Sequence, residues 1–207
     1  SIDDAPAVVR YPKGALPEPL TAVRRLSGGS DESGCGEEPV QKEALSPCAF
    51  DVVDVLLESL RPTGTARILL VGVGAMAPEA YEAGRILQKE DRAVTVVHPH
   101  WVIPAPAPLV AAAANADVVV VVEDGLVDGG IGSQLRDAVE EYQAARSGTG
   151  GSPVFRRIGI PRRFVDTATR AQLMEDFGMR AVDIAQAARR AADGVAGART
   201  DQDLGAE

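Results

Sequence analysis

The apolar positions of this chain change period several times, and the changes divide it into elements. Val118 to Val122 are five consecutive valines with no polar residue between them. The run is far shorter than the roughly 20 apolar residues of a membrane span. It predicts a central strand buried on both faces, the kind found in parallel sheets covered by helices. Arg67–Val73, Ala93–Val97 and Val154–Ile160 are further aliphatic runs that predict strands of the same sheet. Phe50–Leu57 has apolar residues at 50, 52, 53, 55, 56 and 57, which suits either period, and its β-branched content predicts an edge strand.

Helical spacing appears between the strands. Ala80, Ala83, Ile86 and Leu87 form an apolar stripe behind Pro78, a residue that suits the first turn of a helix because its missing N–H has no partner there. Leu109–Asn115, Ile131–Ala145, Thr167–Phe177 and Ala181–Ala192 predict further helices, with Gly178 placed as a C-cap. The order is strand, strand, helix, strand, helix, strand, helix, strand, helix, helix. It predicts a three-layer α/β/α domain with about five strands, mostly parallel. The first strand has no crossover helix after it, so it is expected to run antiparallel.

The flanks read differently. AVVRYPKG at the start resembles the exit from a preceding domain, and no initiator methionine opens the chain, so residues 1–14 are expected to close a domain that precedes this one. Residues 15–49 read as a linker or irregular insertion rich in Gly, Ser and Glu, 50–193 as the α/β domain, and 194–207 as a disordered tail.

Charge and composition narrow the function. A formal net charge of −9 and an aromatic content of 4% disfavour nucleic acid, which needs a concentrated basic surface and stacking platforms. Neither a membrane span nor a signal peptide is readable, so the expected setting is the cytoplasm. Cys35 and Cys48 lack CxxC spacing and a nearby histidine, and support neither a disulfide framework nor a zinc site.

Four constellations could carry chemistry. Gly72, Gly74 and Ala77 satisfy a GxGxxG/A pattern between a strand and a helix, as a dinucleotide site requires, but His98 stands where the ribose-binding acid is expected. The fingerprint thus lacks its second half, and the glycines read rather as making a tight turn. His98 and His100 share one segment and invite a metal or general-base reading, set against one in which they fix the turn before Trp101. Trp101 itself suits a domain or subunit contact better than a cofactor pocket. Glu123 and Asp124 end the valine run, and Gly129, Gly130 and Gly132 precede a helix whose free N–H groups could meet an anion. An acid beside that cradle conflicts with phosphate binding, so the pair could instead cap the helix or reach a neighbouring domain. Finally, Arg10 in VVRYPKG stands at a strand's end, where its guanidinium could meet an anion. There is no GxSxG elbow and no Walker GKS/T.

Five segments in order carry a resemblance: VVRYPKG at 8–14, ILLVGVGAMAPEA at 68–80, VTVVHPHWVIP at 94–104, VVVVEDGLVDGGIGS at 119–133 and IGIPRRFVDTATRAQLMEDFGM at 158–179. Together they resemble the C-terminal domain of the 1-deoxy-D-xylulose-5-phosphate synthase family, within the transketolase superfamily. Other members of that superfamily, such as 2-oxo-acid dehydrogenase β subunits, share the architecture; the RYPKG exit favours the synthase. This chain departs from the family in having HPHWV where DPRWV-like residues are usual, and in a longer, more acidic 27–49 segment. The resemblance implies a homodimeric enzyme dependent on thiamine diphosphate and Mg²⁺, which decarboxylates pyruvate and joins the two-carbon unit to glyceraldehyde 3-phosphate. It also implies that cofactor, metal and catalytic residues lie in the family's first two domains. This domain would then be structural and dimerising, inactive alone, and bind no cofactor. Arg10, and less securely Lys13, match the family motif that holds the aldehyde phosphate. The alternative is a freestanding module that binds a nucleotide or small anion at 72–77 or 129–133.

Overall fold

A computed structural model describes residues 18–27, 51–60, 65–146 and 151–204. Six strands form one sheet: β1 (Arg24–Ser27), β2 (Val52–Ser59), β3 (Arg67–Gly72), β4 (Ala93–Pro99), β5 (Val118–Leu126) and β6 (Val154–Ile160). Five helices accompany them: α1 (Ala77–Lys89), α2 (Ala107–Ala114), α3 (Ile131–Ala145), α4 (Arg170–Asp176) and α5 (Ala181–Leu204). The strand order is β1-β2-β4-β3-β5-β6. Strands β4, β3, β5 and β6 are mutually parallel, and β2 is antiparallel to both β4 and β1, so β2 alone runs against the others. The expected α/β/α architecture with one reversed strand is therefore the observed one, with a sixth strand added.

The valine run explains the layering. Val118, Val120 and Val122 point into the layer formed with α1 and α5, and Val119 and Val121 into the layer formed with α2 and α3. All five are fully buried. Burying one valine side chain stabilises by about 1.5 kcal/mol or more, so a strand covered on both faces tolerates no polar position in its centre. Helix α1 packs closely because its inner face is small: Ala80, Ala83 and Gly84 are buried, and a Cβ on Gly84 would lie 2.3 Å from Val96 Cγ2.

Three elements differ from the sequence-based expectation. Strand β1 falls in the segment read as linker. Its stretch, RRLS, has one apolar residue, and it is held by charge: Arg25 Nε donates to Asp54 Oδ1 at 2.7 Å directly across the pair, and Arg24 makes a two-pronged contact with Glu58 at 2.6 and 3.0 Å. Helix α4 begins at Arg170 rather than Thr167, because Thr169 forms a reciprocal capping box with Gln172. Helix α5 runs on through Gly194 and Gly197 to Leu204, past the boundary expected for a disordered tail. Gly178 does take the left-handed conformation (φ +63°) just past α4, as a C-cap glycine should.

Candidate functional site

In open parallel sheets, ligands gather outside the C-terminal strand ends where successive helices leave for opposite faces. Here that point lies between β3 and β5, since α1 follows β3 onto one face and α3 follows β5 onto the other. A cleft of about 800 Å³ opens there, with Val73, Gly74, Val102, Ile103, Asp124 and Arg170 among its lining. Each sequence-derived candidate among the described residues can be placed relative to it.

The first wall is the turn Gly72–Ala77. A Cβ on Gly72 would lie 2.7 Å from Ala77 Cα and 2.8 Å from Ala80 Cβ, so this glycine exists to let α1 sit against the strand. A single 3₁₀ turn, Gly74–Met76, intervenes before α1, with Gly74 at φ +55°. His98 Nδ1 lies 2.9 Å from the Gly72 carbonyl oxygen and donates to it. The residue in the ribose-acid position thus turns inward and ties β4 to the turn. Gly72 is a packing glycine, whereas Gly74 makes the left-handed turn and lines the cleft.

The two histidines are divided. Their ring centroids are 6.0 Å apart, and His100 Nε2 instead meets Asp54 Oδ2 at 2.7 Å. Burial alone would push the Asp54 carboxyl up, but hydrogen bonds from Arg25 and His100 outweigh it and hold the group below the usual carboxylate range. Asp54 is therefore the junction of β1, β2 and β4, and the histidines fix strand ends. Among the described residues, no group of three or more His, Cys, Asp or Glu side chains is placed to hold a metal ion.

The second wall is the acidic turn, and it is built by an irregularity. Val122 pairs with Ile158, yet Leu126 pairs with Ile160, so β5 accommodates two more residues than β6 over the same span. Bulges re-aim side chains, and this one sends neighbouring acids in different directions. Glu123 is buried and Asp124 exposed. The Ile131 N–H donates to Glu123 Oε2 at 3.0 Å and the Gly132 N–H to Oε1 at 3.3 Å. Glu123 thus occupies the helix N-terminus that the glycines leave open, in the position an external anion would take. A Cβ on Gly130 would fall 2.2 Å from Glu123 Oε2, so that glycine makes room for the carboxyl. Burial pushes the Glu123 carboxyl above its ordinary value, against the opposing pull of the two N–H groups and of Arg157. Of the alternatives open for this pair, Glu123 takes the cap. A diphosphate and its metal do not fit the described residues, because the cradle is already filled and no ligand set stands beside it.

Sequence reasoning missed two arginines. Arg157 Nη1 donates to the Val127 carbonyl oxygen at 3.2 Å and reaches Ser133 Oγ at 2.5 Å, pinning the loop before α3. Arg170 Nη2 donates to Asp124 Oδ2 at 3.0 Å across the cleft. The readable signal for the first was an arginine inside a strand, where a charged group must find acceptors. Arg10, Lys13, Cys35 and Cys48 lie outside the described residues.

Comparison with known proteins agrees with this geometry. The family described as "Transketolase, C-terminal domain" matches residues 58–184, more than half of the chain. The chain belongs to that family. It is similar to the 1-deoxy-D-xylulose-5-phosphate synthase of Corynebacterium glutamicum (strain R), with 34% identity over 179 residues, covering 86% of this chain and 24% of that protein. The synthase of Kocuria rhizophila is 36% identical over 190 residues, 90% of this chain and 24% of its own length. The chain therefore spans about a quarter of the relatives it matches. Among solved structures it is similar to a split gene transketolase in an inactive beta4 tetramer, with a TM-score of 0.55 and 25% identity, over 68% of this chain and 42% of that one.

Proposed function

We propose that the chain serves as the C-terminal domain of a 1-deoxy-D-xylulose-5-phosphate synthase, a cytoplasmic, homodimeric transferase that depends on thiamine diphosphate and Mg²⁺. The observation that carries this reading is the match to synthases of that name along nearly the whole chain. The enzyme decarboxylates pyruvate and transfers the two-carbon unit to glyceraldehyde 3-phosphate, with the cofactor held by the preceding domains. The role of this domain is to frame and assemble the enzyme, and alone it is inactive. Its internal chemistry suits that role. Among the described residues, three of the candidates, Glu123, His98 and His100, are engaged in holding strand ends and a helix start. Arg10, and less securely Lys13, is assigned to the phosphate of the aldehyde substrate, to which a guanidinium can make a two-pronged contact.

Steady-state kinetics test the assignment. The 207-residue chain, given thiamine diphosphate, Mg²⁺ and both substrates, is expected to show no turnover. Joined to the first two domains of the family it is expected to form the product. In that enzyme Arg10→Ala should raise KM for glyceraldehyde 3-phosphate by about tenfold or more, the loss of a charged hydrogen bond, and leave KM for pyruvate little changed. Turnover by the chain alone, or an unchanged aldehyde KM in the variant, would refute the reading.

A further inference from the structure

Strands β2 to β5 are anchored by buried aliphatic side chains, whereas β1 is anchored by charge. Its one apolar residue, Leu26, is only partly buried, as is Leu20 just ahead of it, and Val23 is 65% exposed. A cavity of about 210 Å³, bounded by Arg24 and Leu26 and by Ala112 and Ala116 at the end of α2, marks the packing there as loose. Segments with few buried apolar contacts open without the rest of the fold.

Successive residues of a strand point to opposite faces, so Arg24 and Arg25 grip β2 from its two sides. Arg25 lies directly across from Asp54 and donates to it. Arg24 lies across from Val55, yet its guanidinium reaches Glu58. A bulge in β2 makes that possible. Val55 pairs with Val97 and Glu58 with Thr95, two positions apart on β4, so the extra residue returns Glu58 to the face of Val55. The Arg24 and Arg25 side chains are 48% and 41% exposed. Ion pairs so open to solvent each contribute little and are screened by salt. Nor does their loss leave a buried charge alone, since Asp54 keeps its contact with His100 Nε2.

We infer that β1 is a detachable clasp, closed by the Arg24–Glu58 and Arg25–Asp54 pairs and released by ions, while β2 to β6 stay folded. Closing it sets how far the preceding residues can stand from the sheet. With β1 docked, Leu20 is held against the domain, and the chain from Gly14 reaches it across at most about 20 Å. With β1 released the first fastened residue is Val52, and the same limit becomes about 130 Å. The inference rests on the framing role proposed above, in which residues 1–14 close the preceding domain, and gives that role an adjustable tether.

Hydrogen–deuterium exchange of the 207-residue chain, followed by mass spectrometry, tests the clasp. At about 20 mM NaCl, amides of residues 20–27 are expected to exchange at least about a hundredfold faster than those of β3, because they open locally. Raising NaCl to about 1 M should speed them by about fivefold more and leave β3 and β5 unchanged. Arg24→Glu and Glu58→Arg should each speed the same amides by about tenfold at low salt, since each sets like charges together. Their urea midpoints should match the wild type. Combining the two substitutions restores an opposite-charge pair and should restore protection. A β1 as slow to exchange as β3, a rate indifferent to salt, a urea midpoint that falls with the single substitutions, or a combined variant left unprotected would each overturn the clasp. None of these readouts depends on catalysis. Their failure leaves the domain assignment standing, and a joined enzyme without turnover refutes that assignment while leaving the clasp.

Discussion

Two turns in this molecule follow the same sequence pattern, a buried strand, then glycines, then a helix, and they are closed by different means. At Gly72 the closure is steric: α1 lies so near the strand that Ala77 and Ala80 occupy the space a side chain would need. At Gly130 the closure is electrostatic: the Glu123 carboxyl folds back over the start of α3 and takes its first free N–H groups. Glycine therefore records a close approach in both places, but what approaches is backbone in one and a carboxyl in the other. A glycine-rich turn before a helix signals an anion site only when nothing in the chain supplies the anion.

The contrast can be broken at its stiffer end first. Gly72→Ala forces a Cβ against helix backbone that cannot rotate away, and is expected to destabilise the chain by about 3 kcal/mol, the upper range for overpacking; urea denaturation measures it. An unchanged midpoint would show that α1 is free to retreat from the strand.

The second turn should yield in a way the first cannot. Glu123→Ala leaves two N–H groups without their acceptor and is expected to lose about 2 kcal/mol. Gly130→Ala displaces the same carboxyl and should lose about 1 kcal/mol or more. In the Glu123→Ala background the Gly130→Ala change should become nearly neutral, because the atoms it would strike are gone. A double-mutant cycle by urea denaturation therefore gives a coupling of about 1 kcal/mol. Strict additivity would mean that Gly130 is needed for some other reason.

The smallest effect is in pH. Burial holds the Glu123 carboxyl above its ordinary value in the folded chain, so folding favours its protonated form. That contribution is complete below the unfolded value, near about 4.3, and is lost as pH rises through the folded value. The stability of the wild type relative to Glu123→Gln, which does not titrate, should thus decline as pH rises from about 4. A difference that instead grows with pH would show that the α3 N–H groups outweigh burial.

Much of this architecture was legible in the sequence because it rests on local periodicity. The valine run, the α1 stripe behind Pro78 and the Gly178 cap each report on their own neighbourhood. What escaped was determined across the sheet. Strand β1 has no apolar period and exists through Arg24 and Arg25 meeting Glu58 and Asp54 on a strand far along the chain. The filling of the α3 cradle depends on a bulge in β5 that only pairing with β6 creates. The two histidines looked like one group in sequence, and their different partners, Gly72 and Asp54, lie on different strands.

The valine strand has a further consequence. Five identical side chains carry no reading frame: slid by one residue along β3, they would present the same surface to both faces, whereas an alternating strand would be forbidden the slip. The frame must be written at the ends. Asp117 accepts the backbone N–H of Arg67 at 2.7 Å just before the run, and Glu123 is bound into α3 just after it. These two carboxyls bracket the repeat and make one alignment distinguishable from its neighbours.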